Sequence, residues 1–259
     1  MRIPVPKLLQ CALLLILATA APVLAAEPAM PEPFAATYKV SYRGFQVGLL
    51  HFNLSINDEA AYVYETRAEP GLLARLLVSS NALERTVMQI DAQGVRPLVW
   101  FTEDGTSGTR KDGKLVFDWE TRQVSGTLDG EEIDLPIEPG LQDRLSMQIS
   151  VMTALLRGES PGSISLVDDN RIKDYSYTRV GSAQISTAAG RFETVQYEST
   201  RSGSSRVKHI WHAPVLDCLP VRVEQFKKGK SDTVMELVAV SPASMHPKGA
   251  SGTCGSSSP

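Results

Sequence analysis

The sequence predicts a mainly antiparallel all-β protein: a curved, open or closed barrel-like sheet, one central amphipathic helix at about 142–157, and a short helix near 71–78. Three observations carry that expectation. Polar and apolar residues alternate through most of the chain, and Gly, Asp or Pro breaks the pattern every ten residues or so. One stretch, GLQDRLSMQISVMTALLRG at 140–158, is a long apolar run with no turn signal inside it.

The elements follow in order. In FAATYKVSY, Phe34, Ala36, Tyr38, Val40 and Tyr42 share one parity, the pattern of a half-buried strand. RGFQVG turns, and LLHFNLSIN sets Leu50, Phe52, Leu54 and Ile56 on one face. NDEA turns again before AYVYETRAE. In PGLLARLLVSS, Leu72, Leu73, Leu76 and Leu77 have helical spacing. Strands resume at ALERTVMQID and RPLVWFTED, then at KLVFDWE, QVSGTLDG and EEIDLPI. In the long apolar run, Leu145, Ile149, Met152 and Leu156 are spaced 4, 3 and 4. A strand reading competes, because Leu145, Met147, Ile149 and Val151 also alternate; length and composition favour the helix. Asp143 suits its N-cap, Gly158 its C-terminal end, and Arg157 the negative dipole end. Strands return as SISLVDD, RIKDYSYTRV, SAQISTA, RFETVQYEST, SRVKHIWHAP, LPVRVEQFKKG and SDTVMELVAV. A lone amphipathic helix among strands must bury its stripe, and the concave side of a bent sheet is the place for it.

Both ends of the chain read differently. Arg2 and Lys7, the apolar LLQCALLLILA and a small-residue site with Val23 and Ala25 match a signal peptide over 1–25, cut near Ala25 or Ala26. Its apolar run is shorter than the roughly 20 residues that span a bilayer. Residues 26–33 form an extended leader, 34–241 a single β-rich domain, and 242–259 a Pro/Gly/Ser tail expected to be disordered. Without the leader peptide the chain carries 24 basic against 29 acidic residues, mixed along its length. No basic stripe exists, which argues against a nucleic-acid partner. No later segment has transmembrane length, so the expected location is the periplasm.

Several segments, in this order, resemble an exported bacterial family known as domain of unknown function 3108. They are YKVSYRGFQVG (38–48), GVRPLVW (94–100), VFDWE (116–120), QDRLSMQ (142–148), GRFETVQYE (190–198), IWHAPVLDCLPVRVE (210–224) and TVMELV (233–238). The resemblance implies a barrel-like envelope domain and transfers no catalytic residue.

The residues themselves contain no recognisable catalytic set. His209 and His212 are three apart, which on a strand sends them to opposite faces. Ser205 to Lys208 spells Ser-x-x-Lys, but on a strand and without the partner motifs. Asp118 and Asp143 could form a glycosidase pair, though Asp118 reads as pointing out of its strand and Asp143 as a cap. No cofactor and no metal site is expected. Cys218 and Cys254 survive processing; a disulfide between them is allowed in an oxidising compartment, as are two unpaired thiols.

Tyr38, Tyr42, Phe52, Trp100, Phe117, Trp119 and Trp211 all fall on strands. Converging inside a barrel, they would line a site for a lipid or another apolar envelope ligand; otherwise they are core. The expected function is therefore a non-enzymatic envelope protein binding an apolar or amphipathic ligand in the sheet's concavity. A structural or protein-interaction module with a filled barrel is the alternative, and a carboxylate-based hydrolase comes third.

Overall fold

The computed structural model describes residues 29–242, apart from 73, 77, 78, 107–111 and 169. The signal peptide and Cys254 with its tail lie outside the described residues. Fourteen strands form one antiparallel sheet. The first eight are β1 (Phe34–Tyr42), β2 (Phe45–Ile56), β3 (Tyr62–Pro70), β4 (Leu83–Asp91), β5 (Gly94–Glu103), β6 (Gly113–Asp118), β7 (Gln123–Leu128) and β8 (Glu131–Pro136). Helix α1 (Ser146–Leu156) follows. The last six are β9 (Ser163–Asp168), β10 (Arg171–Thr187), β11 (Gly190–Arg201), β12 (Arg206–Ala213), β13 (Leu219–Lys227) and β14 (Lys230–Pro242). Each strand pairs with its neighbours in sequence on either side of α1, and β1 pairs with β14 to join the two meanders.

Local chemistry explains the hairpins. Arg43–Gly44, Asp129–Gly130 and Lys228–Gly229 are two-residue loops with positive φ at both positions. That is the type I′ geometry whose twist matches the flanking strands. Period-two burial is cleanest in β6, where Gly113, Leu115 and Phe117 are buried and Lys114, Val116 and Asp118 are exposed.

Cross-strand pairs share a face. One row therefore runs Phe34–Leu54–Tyr64–Thr86–Trp100–Leu115–Gly126–Ile133 along the inner face of β1 to β8. Gly126 is required there: a Cβ would meet the Lys114 carbonyl oxygen at 1.9 Å.

The sheet is not a closed barrel. Its two ends overlap. Val167 and Ile172, a cross-strand pair on β9 and β10, pack with Trp100, Leu115, Phe117, Val124 and Ile133 from the inner face of β5–β8. Ile137 and Leu141, from the link leading to α1, fill the same cluster. Gln142 then hydrogen-bonds to the free edge of β9, its N–H to Ser165 O and its carbonyl accepting from Val167 N. The exposed edge is thereby covered.

Helix α1 occupies the concavity, as the periodicity predicts, but it is not amphipathic. No residue from 141 to 158 is exposed. Leu145, Ile149 and Met152 belong to the cluster formed with β1–β4, β13 and β14. Val151 and Leu155, on the opposite side, pack with Ile164, Tyr177, Val195, Tyr197 and Ile210. A helix flanked by the sheet on two sides keeps apolar residues on both flanks, and its polar Gln148 and Ser150 are only partly buried. The regular helix is also shorter than the expected 142–157. Of the short helix expected near 71–78, residues 73, 77 and 78 lie outside the described residues; the described ones include a 3₁₀ turn, Ala74–Leu76, and Leu72 beside it is exposed. Residues 171–187, read as two strands, are one strand with a register shift between Arg179 and Gly181.

Candidate functional site

Two anchors hold α1. At its start the Asp143 carboxylate accepts from the N–H groups of Leu145 and Ser146, both at 2.8 Å, and from Thr86 Oγ1 at 2.6 Å. Ser146 Oγ returns the favour by accepting from Asp143 N–H at 2.9 Å, a reciprocal cap. Burial raises the Asp143 pKa, and these donors oppose the rise. At the far end Gly158, at φ 74°, and Glu159 donate to Leu155 O and Ala154 O, the Schellman pattern. Arg157 does not sit on the helix dipole. Its guanidinium crosses to the carbonyls of Asp91, Ala92 and Ala29. Thus α1 runs from mid-sheet, at Thr86, to the end bearing the β4–β5 turn, here called the lower end.

The lower interior is aromatic and aliphatic. Tyr38 and Phe52 meet edge to face at 5.4 Å, and Phe52 stacks on Tyr64 at 5.7 Å. Tyr38 Oη donates to Pro220 O at 2.7 Å. At the boundary with the upper interior, in the row Tyr177–Ser199–Lys208, burial pushes the Tyr177 hydroxyl up to about 12. Three polar atoms of the lower interior have no hydrogen-bond partner among the described residues: Tyr64 Oη, Thr153 Oγ1 on α1 and His212 Nε2. His212 Nδ1 lies 2.7 Å from Cys218 O. That contact requires Nδ1–H, which leaves Nε2 as an acceptor. Burial lowers the His212 pKa to about 4.

The upper interior is charged. Arg144, one residue after the cap, lies with its guanidinium 5.6 Å from the Trp100 ring and 3.5 Å from Asp168. Lys173 Nζ reaches Asp168 at 2.7 Å. Trp100 Nε1 donates to Glu84 at 2.8 Å, and burial raises the Glu84 pKa. Lys208, paired with Ser199 and two residues from Ile210, also faces inward, and desolvation lowers its pKa. Tyr175 and its cross-strand partner Arg201 complete the rim.

The seven aromatic residues expected to line one pocket do not converge. Tyr38 and Phe52 pack in the α1 cluster, whereas Trp100, Phe117 and Trp119 belong to the overlap cluster. Tyr42 is 43% exposed at the upper rim, beside Arg43. Trp211 belongs to the same buried cluster as Tyr38 and Phe52, although its register row, Gln196–Trp211–Arg222–Glu236–Lys39, is that of the outward side chains. Parity assigns a residue to one of two faces within a strand, and bulges and face identity between strands are invisible to it. Tyr64, Tyr177, Tyr197 and Met88, absent from that set, are central to the interior.

The remaining candidates resolve structurally. His209 is on the outer face near Glu198, opposite His212 as strand geometry requires. Asp118 is exposed and accepts from the N–H groups of Glu120 and Thr121. Among the described residues no group of three or more His, Cys, Asp or Glu is placed to hold a metal. No described helix is long and apolar enough to cross a membrane. Cys218 is buried, with φ 59°. Two shallow depressions of about 420 and 360 Å³ lie on the outer face of β14–β1–β2. Lys39, Leu49 and Glu236 line the first, with Thr187 of the β10–β11 turn; Thr37, His51 and Arg67 line the second.

Residues 37–238 match the profile of the family described as "Protein of unknown function (DUF3108)", and the chain belongs to that family. No curated protein matches the sequence. Among solved structures, the fold is similar to a β-barrel-like protein of domain of unknown function DUF1849 from Brucella abortus. That likeness has a TM-score of 0.50 at 10% identity and covers 83% of this chain and all of the other. A looser likeness, TM-score 0.37 at 10% identity, is to the Pseudomonas aeruginosa MucA/MucB complex; it covers 82% of this chain and 52% of that one.

Proposed function

We propose that this DUF3108 protein is an exported envelope binding module whose interior takes an apolar or amphipathic ligand in the space that α1 fills. The observation that carries this reading is the character of that interior. Apolar clusters flank α1 on both sides, yet three buried polar atoms there, Tyr64 Oη, Thr153 Oγ1 and His212 Nε2, have no partner among the described residues. A permanent core leaves few such groups, because each costs about 1–3 kcal/mol. An apolar hollow with sparse polar groups is the composition of a ligand site. The helix is fixed to the sheet at its two ends by side-chain anchors, Asp143–Thr86 and Arg157, so it is a separable occupant.

Carboxylate hydrolysis fits less well. Asp143 already accepts from Thr86 and two backbone N–H groups, which leaves it a structural role. A second reading, a protein-interaction module, is favoured by the two depressions on the outer face.

The test is native mass spectrometry with lipid extraction on protein purified from its own envelope, together with titration by an apolar fluorescent dye. Co-purifying lipid and saturable dye binding support the interior site. Protein that carries no lipid and binds no dye leaves the interaction reading in its place.

A further inference from the structure

The upper inner face has a charge imbalance at the boundary of the apolar interior. Asp168 is taken by Lys173 and Arg144, and Glu84 accepts from Trp100. Neither Lys208 nor Arg201 makes an ion pair within 4 Å among the described residues, and the one carboxylate that acts on Lys208, Asp168, is already shared by Lys173 and Arg144. Lys208 and Arg201 sit close together: Lys208 pairs with Ser199, and Arg201 is two residues beyond Ser199 on the same face of β11. Diagonal neighbours of this kind stand about 7–8 Å apart at the backbone, within reach of one shared anion for such long side chains. Below them on the same face the surface becomes apolar, through Ile210 on β12 and Tyr197 on β11. Tyr175, cross-strand partner of Arg201, adds a half-buried hydroxyl at the same level, directed toward Asp168.

We propose that Lys208 and Arg201, with the Tyr175 hydroxyl, form the seat for the anionic head group of an amphiphile whose chain enters the interior below. The ligand class is therefore a carboxylate or phosphate head on an acyl chain. Two fixed cations at a desolvated rim make charge-assisted hydrogen bonds to such a group, and each contributes more than a neutral one. Lys208 is suited to this role because burial disfavours its charge more than nearby Asp168 restores it, and an arriving anion adds to what Asp168 supplies. Arg144, stacked over Trp100 and tied to Asp168, closes the opposite side.

This inference rests on the interior-binding reading above, and one calorimetric titration separates the two. The full chain and its Lys208→Gln and Arg201→Gln variants are titrated with oleate, with the uncharged 1-oleoylglycerol, and with inorganic phosphate. The expected result is oleate binding at least about tenfold weaker in each variant, unchanged 1-oleoylglycerol binding, and no measurable binding of phosphate alone. The unchanged neutral ligand also shows that the variants are folded. Equal loss for both amphiphiles, or no loss for oleate, overturns the head-group seat while the interior site stands. Phosphate binding as tight as oleate shows a free-anion site and overturns the amphiphile. If neither amphiphile binds the unmodified protein, both readings fall.

Discussion

The lower and upper halves of the inner face are built from the same strands yet are opposite in chemistry. On β12 the change takes one strand repeat, from Ile210 in the α1 cluster to Lys208 at the rim. Below, α1 excludes water, and Ile149, Met152 and Leu155 have no exposed surface. Above, α1 has not begun, and Arg144, Asp168 and Lys173 are paired but partly exposed. Inward parity therefore does not mean apolar. What decides the chemistry of an inward position is whether an apolar element lies beneath it: α1 in the lower half, or the overlapping β9–β10 against β5–β8. Stability should then reside in the lower half and selectivity in the upper.

Substitutions can break that contrast, and the largest effects belong below. Ile149→Ala should cost about 2–5 kcal/mol in urea unfolding, because it deletes fully buried methyl groups with the sheet fixed around them. A cost under about 1 kcal/mol would mean that α1 is not packed as described. His212 gives the next effect, read as a pH dependence. Its folded pKa, about 4, lies below the unfolded value of 6.5, so the unfolded chain takes the proton first. Its contribution is intact above about pH 6.5, declines as pH falls to about 4, and amounts to about 3 kcal/mol in total. Asp143 and Glu84 have the opposite sign: burial raises their pKa, so their contribution favours the folded state at low pH and is lost as pH rises through their folded values. The His212 effect is thus read as the difference between the unmodified protein and His212→Gln across pH 4–7. Equal slopes in the two would remove His212 from the account.

At the boundary, Asp143→Ala removes the acceptor for Thr86 and for two helix N–H groups, and should cost about 2 kcal/mol. It should also raise uptake of an apolar dye, since one of the two α1 anchors is gone. Unchanged dye binding would argue that α1 stays seated. Smallest is Arg144→Gln in the upper half, about 1 kcal/mol or less, because a partly exposed ion pair and cation–π contact are worth little. A large loss there would show that the overlap of the sheet's ends depends on charge.

The strands were legible because alternation and positive-φ turn residues act locally: Asp129–Gly130 and Lys228–Gly229 announce hairpins whatever surrounds them. The existence of α1 and the capping role of Asp143 were legible for the same reason. The overlap of the sheet's ends was not, because it depends on Val167 meeting Trp100 and Leu115, residues far apart in sequence. The aromatic set divides between two clusters: Tyr38, Phe52 and Trp211 lie in one, and Trp100, Phe117 and Trp119 in the other, a division that alternation within a strand does not encode. The charged rim went unread because Lys208 appeared only within a Ser-x-x-Lys spelling, where its inward direction carried no message.

The claim that α1 occupies a ligand's place is tested most directly by hydrogen–deuterium exchange on the intact protein with and without oleate. Displacement predicts that the amides of Ser146–Leu156 exchange faster when oleate is bound, while those of β1–β4 do not. Saturable oleate binding with α1 equally or better protected would contradict it.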